Sequence, residues 1–193
     1  MQAGRAPERR NEQARLAVLH AADDLLAELG YDGVTIEGIA ARAGVAKQTI
    51  YRWWPSKVDV LMDTLREDAE RLNVTPQKSV RQEIRLRLRR LVEFLGKDPA
   101  GLVLLALIGQ AQHDAPTAAR LTEDFFAGQR EQDRERLRRG IDRGELAAEL
   151  RVEEAIDALY GPIYFRALVT HERMPRSYLD RLVESVLGTS GLG

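Results

Sequence analysis

The side chains best suited to polar recognition stand together between Lys47 and Arg52. This short segment supplies hydrogen-bond donors, acceptors and positive charge at five of its six positions: Lys47, Gln48, Thr49, Tyr51 and Arg52. A Gln side chain can make two hydrogen bonds to adenine and a Lys can contact guanine, each worth about 1–3 kcal/mol of discrimination. On a helix buried through Ile50, this set would stay exposed, as in a helix that enters the DNA major groove.

The residues before this segment predict a second helix and a tight turn that hold it in place. Ile36, Ile39, Ala40 and Ala43 form an apolar face at helical spacing, and Thr35 is placed to cap that helix. Gly44 interrupts the pattern where a positive φ would reverse the chain. A small residue at Ala40 lets the next helix cross closely, and Ile50 anchors that helix in the core. The spacing predicts a helix-turn-helix.

A longer motif surrounds this element. Gly30-Tyr31-x-Gly33-x-Thr35 precedes it and Tyr51-Arg52-Trp53-Trp54-Pro55-Ser56-Lys57 follows. Between about Arg10 and Leu65 the chain resembles the TetR (tetracycline-repressor-like) family of bacterial transcriptional regulators. Trp53 departs from the pattern, since many members carry His there. The resemblance implies an N-terminal DNA-binding domain and a helical body that binds a small molecule and dimerises.

Motif position and resemblance divide the predicted DNA contacts into two groups. Thr35, Tyr51, Trp53 and Lys57 are expected at phosphates, and Lys47, Gln48 and Thr49 at base edges, because they begin the recognition helix. Arg52 could serve either group. For Tyr51 and Trp53, packing against the first helix is the alternative. Arg5, Arg9 and Arg10 could reach a minor groove, or form a solvated tail.

Composition narrows the function classes. The 193 residues carry a net charge of −1 and no Cys, yet Arg42, Lys47, Arg52 and Lys57 form a local run without an acid. Thiolate chemistry and disulfides are excluded. His20, His113 and His171 are widely separated, and no phosphate-binding loop or zinc spacing occurs. We therefore predict no catalytic residue, no metal site and no cofactor. The absence of an apolar leader or spanning segment predicts a cytoplasmic protein without a membrane partner.

Apolar periodicity predicts an all-α fold of about nine helices. Residues 1–56 are expected to form the helix-turn-helix domain, with 1–9 as a flexible basic arm, and residues 57–193 the ligand-binding and dimerisation domain. The arginines from Arg81 to Arg90 are interpreted as a solvated face paired with acids such as Glu83 and Glu93, in preference to a nucleic-acid surface.

The body offers candidate effector and dimer contacts. Six apolar and aromatic residues are candidates for a pocket, although ordinary core is the competing interpretation for each: Leu104, Ile108, Phe125, Phe126, Tyr160 and Tyr164. The broad apolar faces of the last two helices predict a bundle between two copies, through Tyr160, Ile163, Leu179, Leu182, Val183 and Val186.

Together these features predict a homodimer that binds an inverted-repeat operator in double-stranded DNA and is released by a small-molecule effector of unknown identity, most simply as a repressor. The alternative keeps the helix-turn-helix but makes the body a protein-interaction module without a ligand.

Overall fold

The computed structural model describes the backbone of residues 5–188, and the side chains of residues 11–188 apart from Lys97. Within this part the fold is all-α, without a strand, as predicted. The α-helices are α1 (Arg5–Gly33), α2 (Ile36–Ala43), α3 (Lys47–Trp53), α4 (Lys57–Ala69), α5 (Val80–Lys97), α6 (Pro99–Ala111), α7 (Ala115–Leu121), α8 (Ala127–Asp142), α9 (Val152–Phe165) and α10 (Arg176–Leu187). A π-helical turn, Thr122–Phe126, stands between α7 and α8 in the sequence, and if these three are counted as one helical segment the described chain contains nine.

The first helix starts earlier than the sequence indicated. α1 begins at Arg5, whereas residues 1–9 were expected to form a flexible arm. The predicted basic arm otherwise lies outside the described residues, since Met1–Gly4 and the side chains of Arg5, Arg9 and Arg10 are not described.

One compact unit comprises the chain up to Asp68 together with Asp98–Leu121. In it α1 packs against α2 and α6, and α6 packs against α7. Its core consists of fully buried aliphatic side chains that include Val18, Ile39, Ile50, Leu61, Leu65, Leu104 and Leu107. Gly30, with φ 70° and ψ 177°, kinks the chain inside α1, three residues before that helix ends. The boundary predicted after Ser56 divides the chain by role, into DNA binding on one side and ligand binding and dimerisation on the other. The compact units do not test that division, so it stays a prediction.

The second unit comprises Ala69–Lys97 and the chain from Thr122 onwards. Contacts run in a closed circuit from α5 to α8, from α8 to α9, from α9 to α10 and back to α5, which is the arrangement of a four-helix bundle. Its core is formed by the inward stripes of the four helices, among them Ile84, Leu88, Leu137, Ile156, Leu159, Ile163 and Val183. A 3₁₀ turn, Glu70–Leu72, follows α4 and packs against α5.

The arginines of α5 are not the solvated face that was expected. Arg81 and Arg87 are buried, and Arg81 donates to the carbonyl oxygens of Leu187, at 2.8 Å, and Gly188. Arg89 pairs with Asp180 of α10 at 2.9 Å. These arginines bind groups on neighbouring helices because their long side chains span the bundle. We still expect that these arginines do not contact nucleic acid, but the reason is now their engagement inside the bundle and not their exposure to solvent.

Two features are absent from the part of the chain that the structure describes, a membrane-spanning helix and a group of metal ligands. None of the described helices is long and apolar enough to cross a membrane. The described His, Asp and Glu side chains form no group of three placed to hold a metal ion.

Candidate nucleic-acid interface and internal cavity

The α2–turn–α3 element is held by local contacts that the sequence specified. The Thr35 hydroxyl accepts a hydrogen bond from the Gly38 amide at 3.0 Å and so caps α2. Gly44 adopts the left-handed conformation, with φ 67° and ψ 31°, and the Val45 amide donates to the Ala40 carbonyl at 3.1 Å. This geometry fixes the direction in which α3 leaves the turn.

α3 is buried through one residue and exposes the rest of its polar set. Ile50 is completely buried. Lys47, Gln48 and Arg52 are exposed, Thr49 is half-buried, and Tyr51 retains 50% of its accessible surface. Half of the Tyr51 surface is therefore open to a partner, and the alternative given above, packing against the first helix, stays a prediction. The exposed face presents donors, acceptors and cations without an acid on the helix itself.

The charged groups around α3 differ in how firmly they are engaged. Lys47 pairs with Glu37 at 2.7 Å, but both side chains are more than half exposed. An exposed pair of this kind is weakened by solvent and salt, so the Lys47 ammonium can exchange its partner for a base or phosphate. Arg42 makes a two-point contact with Glu28, at 2.7 and 2.6 Å, and is less available.

Lys57, the first residue of α4, is held at the junction with α1. Its ammonium donates to the Tyr31 carbonyl oxygen at 2.8 Å and lies 4.0 Å from the centroid of the Tyr31 ring. Burial lowers the pKa of Lys57, and the charge of Asp32 opposes that effect. The side chain is thus preoriented next to α3, with one donor engaged by the protein and the others available.

Two tryptophans fix the end of α3. Trp54 is buried, and its Nε1 donates to Asp63 of α4 at 2.8 Å. Trp53 is half-buried, packs edge-on against Trp54 with centroids 5.4 Å apart, and carries the Arg52 guanidinium 5.3 Å from its own ring centroid. Trp54 therefore anchors α3 to α4, a role that was not predicted, while Trp53 stays at the surface beside Arg52.

The second unit contains a partly open cavity of about 440 Å³. Its wall is mainly apolar and aromatic, and it is formed by α5, α8, α9 and the two adjoining turns: Leu72, Arg87, Leu91, Phe125, Phe126, Gln129, Arg130, Asp133, Ile156, Asp157, Tyr160, Gly161 and Tyr164. Four predicted pocket residues, Phe125, Phe126, Tyr160 and Tyr164, come together here. The other two do not line it, since Leu104 and Ile108 belong to α6 of the first unit.

A buried ionic cluster forms one side of the cavity. Arg87 Nε contacts both carboxylate oxygens of Asp133, at 2.9 and 3.0 Å, and the two side chains are only 3% and 2% exposed. The Tyr160 hydroxyl donates to Asp133 at 2.6 Å, and Arg136 donates to it at 3.0 Å. Arg87 also donates to the Leu72 carbonyl at 2.6 Å and to the Gln129 side chain. Burial raises the pKa of Tyr160 well above its ordinary value, so the phenol stays a donor.

The sequence did not identify this cluster. Arg87 stands in a run of arginines, and Asp133 stands in α8, where charged residues occupy most positions. Composition offers no signal that distinguishes the one buried aspartate from its exposed neighbours. For apolar residues such as Leu91 and Ile156, helical periodicity predicts burial, but it does not predict that they line a cavity.

The predicted dimer residues fall into two groups. Ile163, Leu179 and Val183 are buried within the single chain, where α9 packs against α10, and Tyr160 is directed to the cluster at Asp133. Leu182 and Val186 remain half-exposed on α10. Exposed apolar side chains also follow along the end of α9, namely Phe165, Leu168 and Val169. An interface between copies, which stays a prediction, would use this accessible group.

Comparison with known proteins matches both parts of the chain. Residues 18–63 match the family described as "Bacterial regulatory proteins, tetR family", and residues 74–186 match "Tetracyclin repressor-like, C-terminal domain". YdeS of Bacillus subtilis (strain 168), an uncharacterized HTH-type transcriptional regulator, is 41% identical over 90% of this chain and 88% of its own length.

Solved structures show the same architecture. The TetR family transcription regulator SCO0332 superposes with a TM-score of 0.73 at 32% identity, covering 91% of this chain and 97% of that one. FadR from Bacillus subtilis, solved in complex with stearoyl-CoA, superposes with a TM-score of 0.75 over 90% of this chain and 97% of its own. At 22% identity the second likeness concerns the fold alone.

These matches cover the helix-turn-helix and the helical body in one continuous chain. The relatives are transcriptional regulators and not enzymes, which agrees with the prediction that this chain carries no catalytic site. The chain belongs to the TetR family of DNA-binding transcriptional regulators.

Proposed function

We propose that the protein is a ligand-responsive repressor that binds an inverted-repeat operator as a homodimer and leaves it when a small molecule fills the cavity of the second unit. The observation that carries the proposal is the cavity itself, about 440 Å³ and lined by Phe125, Phe126, Tyr160 and Tyr164. Its volume lies in the range of small-molecule sites. A protein whose body only docks another protein has no need of such an internal space.

The DNA-binding half of the proposal rests on the exposed face of α3. Lys47, Gln48 and Thr49 lie at its N-terminal end and are assigned to base edges, while Arg52 is assigned to either a base or a phosphate. Thr35, Tyr51, Trp53 and Lys57 surround α3 and are assigned to phosphates. With about eight phosphates neutralised by a dimer, log K should fall against log salt with a slope near −7. A protein with this partner acts in the cytoplasm.

Repression and ligand control find support among the relatives. KstR of Rhodococcus jostii, a transcriptional repressor, is 30% identical over 92 residues, 46% of this chain and 43% of its own length, and FadR is solved in complex with stearoyl-CoA. For release, the ligand must bind the DNA-incompetent state more tightly than the DNA-competent one. To lower the population of the DNA-competent state from 99% to 1%, the ligand must bind the DNA-incompetent state about 10⁴-fold more tightly.

A direct covalent route links the cavity to the interface. The chain passes from α3 through α4 into the 3₁₀ turn Glu70–Leu72, and Leu72 lines the cavity. Arg87, another wall residue, holds the Leu72 carbonyl at 2.6 Å. In this proposal, a ligand that alters this contact acts on the stretch of chain that leads back to α4, whose first residue is Lys57.

The experiment selects DNA bound by the purified protein from a random pool and then measures affinity for the selected duplex by fluorescence anisotropy. Small molecules retained by the protein are identified by mass spectrometry after denaturation. We expect an inverted repeat, and a loss of affinity when the retained molecule is added back. A single, non-repeated site, or a ligand-saturated protein with unchanged affinity for DNA, would contradict the proposal and favour the protein-interaction alternative.

A further inference from the structure

Some hydrogen-bonding groups of the cavity wall have no partner among the described residues, and these groups indicate which polar atoms a bound molecule should carry. Most of the wall is hydrocarbon, with Phe125 and Phe126 in edge-on contact at 5.2 Å and Phe126 and Tyr164 at 5.9 Å between centroids. A surface of this kind favours an apolar, preferably aromatic, body. The remaining question is which polar groups the body should carry.

The charges of the wall are already paired. Arg87 binds Asp133, as described, and Arg130 binds Asp157 at 2.6 Å and Glu153 at 3.0 Å. The two cations and two aspartates that line the cavity sum to zero. Beside the buried Arg87–Asp133 pair an anionic ligand gains no unpaired cation, and Arg130, although 39% exposed, would have to give up both Asp157 and Glu153 to bind it. An ammonium ligand likewise finds no unpaired acid.

What remains free consists of donors. No described residue hydrogen-bonds the Tyr164 hydroxyl, and burial raises the pKa of Tyr164, so the group stays protonated. Because Arg has only donors, the Gln129 side-chain oxygen must be the atom that accepts from Arg87. That orientation leaves the Gln129 NH₂ group without a partner among the described residues. The Tyr160 hydroxyl is engaged by Asp133 at 2.6 Å.

We infer that the cavity takes an uncharged, largely apolar molecule with a hydrogen-bond-accepting oxygen, such as an aromatic ketone or ester, and discriminates against carboxylates. The acceptor oxygen pairs with the Tyr164 hydroxyl, and the hydrocarbon body packs on the phenyl rings. This inference rests on the proposed function only in taking the cavity as the effector site.

Three probes of nearly equal shape test the inference by calorimetry on the full chain. 1-Acetylnaphthalene carries the carbonyl, 1-ethylnaphthalene lacks it, and 1-naphthoate replaces it with a charge. We expect the ketone to bind about 2- to 12-fold more tightly than the hydrocarbon, which is the range for one neutral hydrogen bond. Naphthoate is expected at least about tenfold weaker than the ketone. Stearoyl-CoA serves as a second anionic probe.

A variant assigns the effect to its donor. Tyr164→Phe should reduce affinity for the ketone by about 2- to 12-fold and leave the affinity for ethylnaphthalene unchanged, because the ring remains. Tyr178→Phe is the matched control, since Tyr178 lies on α10 under Arg166, with 4.0 Å to the ring centroid, and does not line the cavity. Retained hydrocarbon binding also shows that the variant is folded.

Four outcomes overturn the inference: naphthoate or stearoyl-CoA binding as tightly as the ketone, unchanged ketone affinity in Tyr164→Phe, an equal loss of ketone and hydrocarbon affinity in that variant, or no binding by any probe. A ketone that binds as expected but leaves the DNA affinity unchanged counts against the proposed function alone. The binding and release measurements therefore separate the two failures.

Discussion

Removing the carboxylate of Asp133 is the perturbation whose cost the structure defines most sharply. The side chain is 2% exposed and contacts three groups, the Arg87 guanidinium, the Tyr160 hydroxyl and the Arg136 guanidinium. In Asp133→Ala, Tyr160 loses its hydrogen-bond acceptor. Arg87 keeps the Leu72 carbonyl and Gln129, but its buried charge loses the carboxylate that compensates it.

The expected loss follows from the burial of the pair. Breaking a buried ion pair by removing one partner costs about 3–5 kcal/mol, because the surviving charge is left uncompensated. At about 2–4 °C per kcal/mol for a chain of this size, the melting temperature should fall by about 6–20 °C. Replacing both partners, in Arg87→Met with Asp133→Leu, should recover part of this loss, because the buried Arg87 charge is then removed as well, while Arg136 still lacks its Asp133 partner.

The assay is thermal and urea unfolding followed by circular dichroism, with Asp157→Ala as the control. Asp157 also lines the cavity and pairs with Arg130 at 2.6 Å, but its side chain is 68% exposed. Its removal should cost no more than about 1 kcal/mol. If Asp133→Ala and Asp157→Ala proved equally mild, or if the double replacement were as unstable as the single one, the reasoning from burial would be wrong.

Three further predictions concern DNA binding and assembly. Lys57→Ala should weaken binding to all sequences about equally and make the salt slope shallower by about one per lost contact. Lys78 is an exposed lysine of the second unit, so Lys78→Ala should leave both quantities unchanged. Fluorescence anisotropy at several salt concentrations compares the two variants, and a loss of affinity confined to one base pair of the site would refute the phosphate assignment. Gln48→Ala should relax the preference at one or two positions in each half-site during selection from random DNA, and an unchanged consensus would contradict base contact. A charged residue at half-exposed Leu182 or Val186 should give monomers by sedimentation, because burying that charge between copies is unfavourable; an intact dimer would remove α10 from the interface.

The helix-turn-helix was predictable because its geometry depends on local residues. The Thr35 cap, the left-handed Gly44 and the burial of Ile50 follow from contacts within a span of about sixteen residues, and the structure has all three. Exposure of the polar set on α3 then follows from helical periodicity. What was missed here, the hydrogen bond from Trp54 to Asp63, links two helices rather than neighbours along one.

Only some of the cavity residues could be predicted from the sequence. Apolar character indicates that a side chain is buried, but not which other side chains it packs against. Leu104 lies in the most apolar run of the chain and is completely buried, but it packs in the first unit, where α6 contacts α1 and α7. Ile163 and Val183 were expected at an interface between copies, and are already covered by helices of the same chain. Which faces of the helices meet is a tertiary property that periodicity leaves open.

The hydrogen bond from Arg87 to the Leu72 carbonyl sets a limit on how the proposed switch can work. A hydrogen bond to a charged group contributes about 1.5–3 kcal/mol, whereas moving the population from 99% to 1% competent requires about 5.5 kcal/mol. One such bond is therefore insufficient, but the two in a homodimer would supply about 3–6 kcal/mol if both broke together. Control through Arg87 thus requires both copies to respond, so ligand binding that releases DNA should be cooperative. A protein in which one bound ligand per dimer releases the operator completely would need additional contacts that change with Arg87.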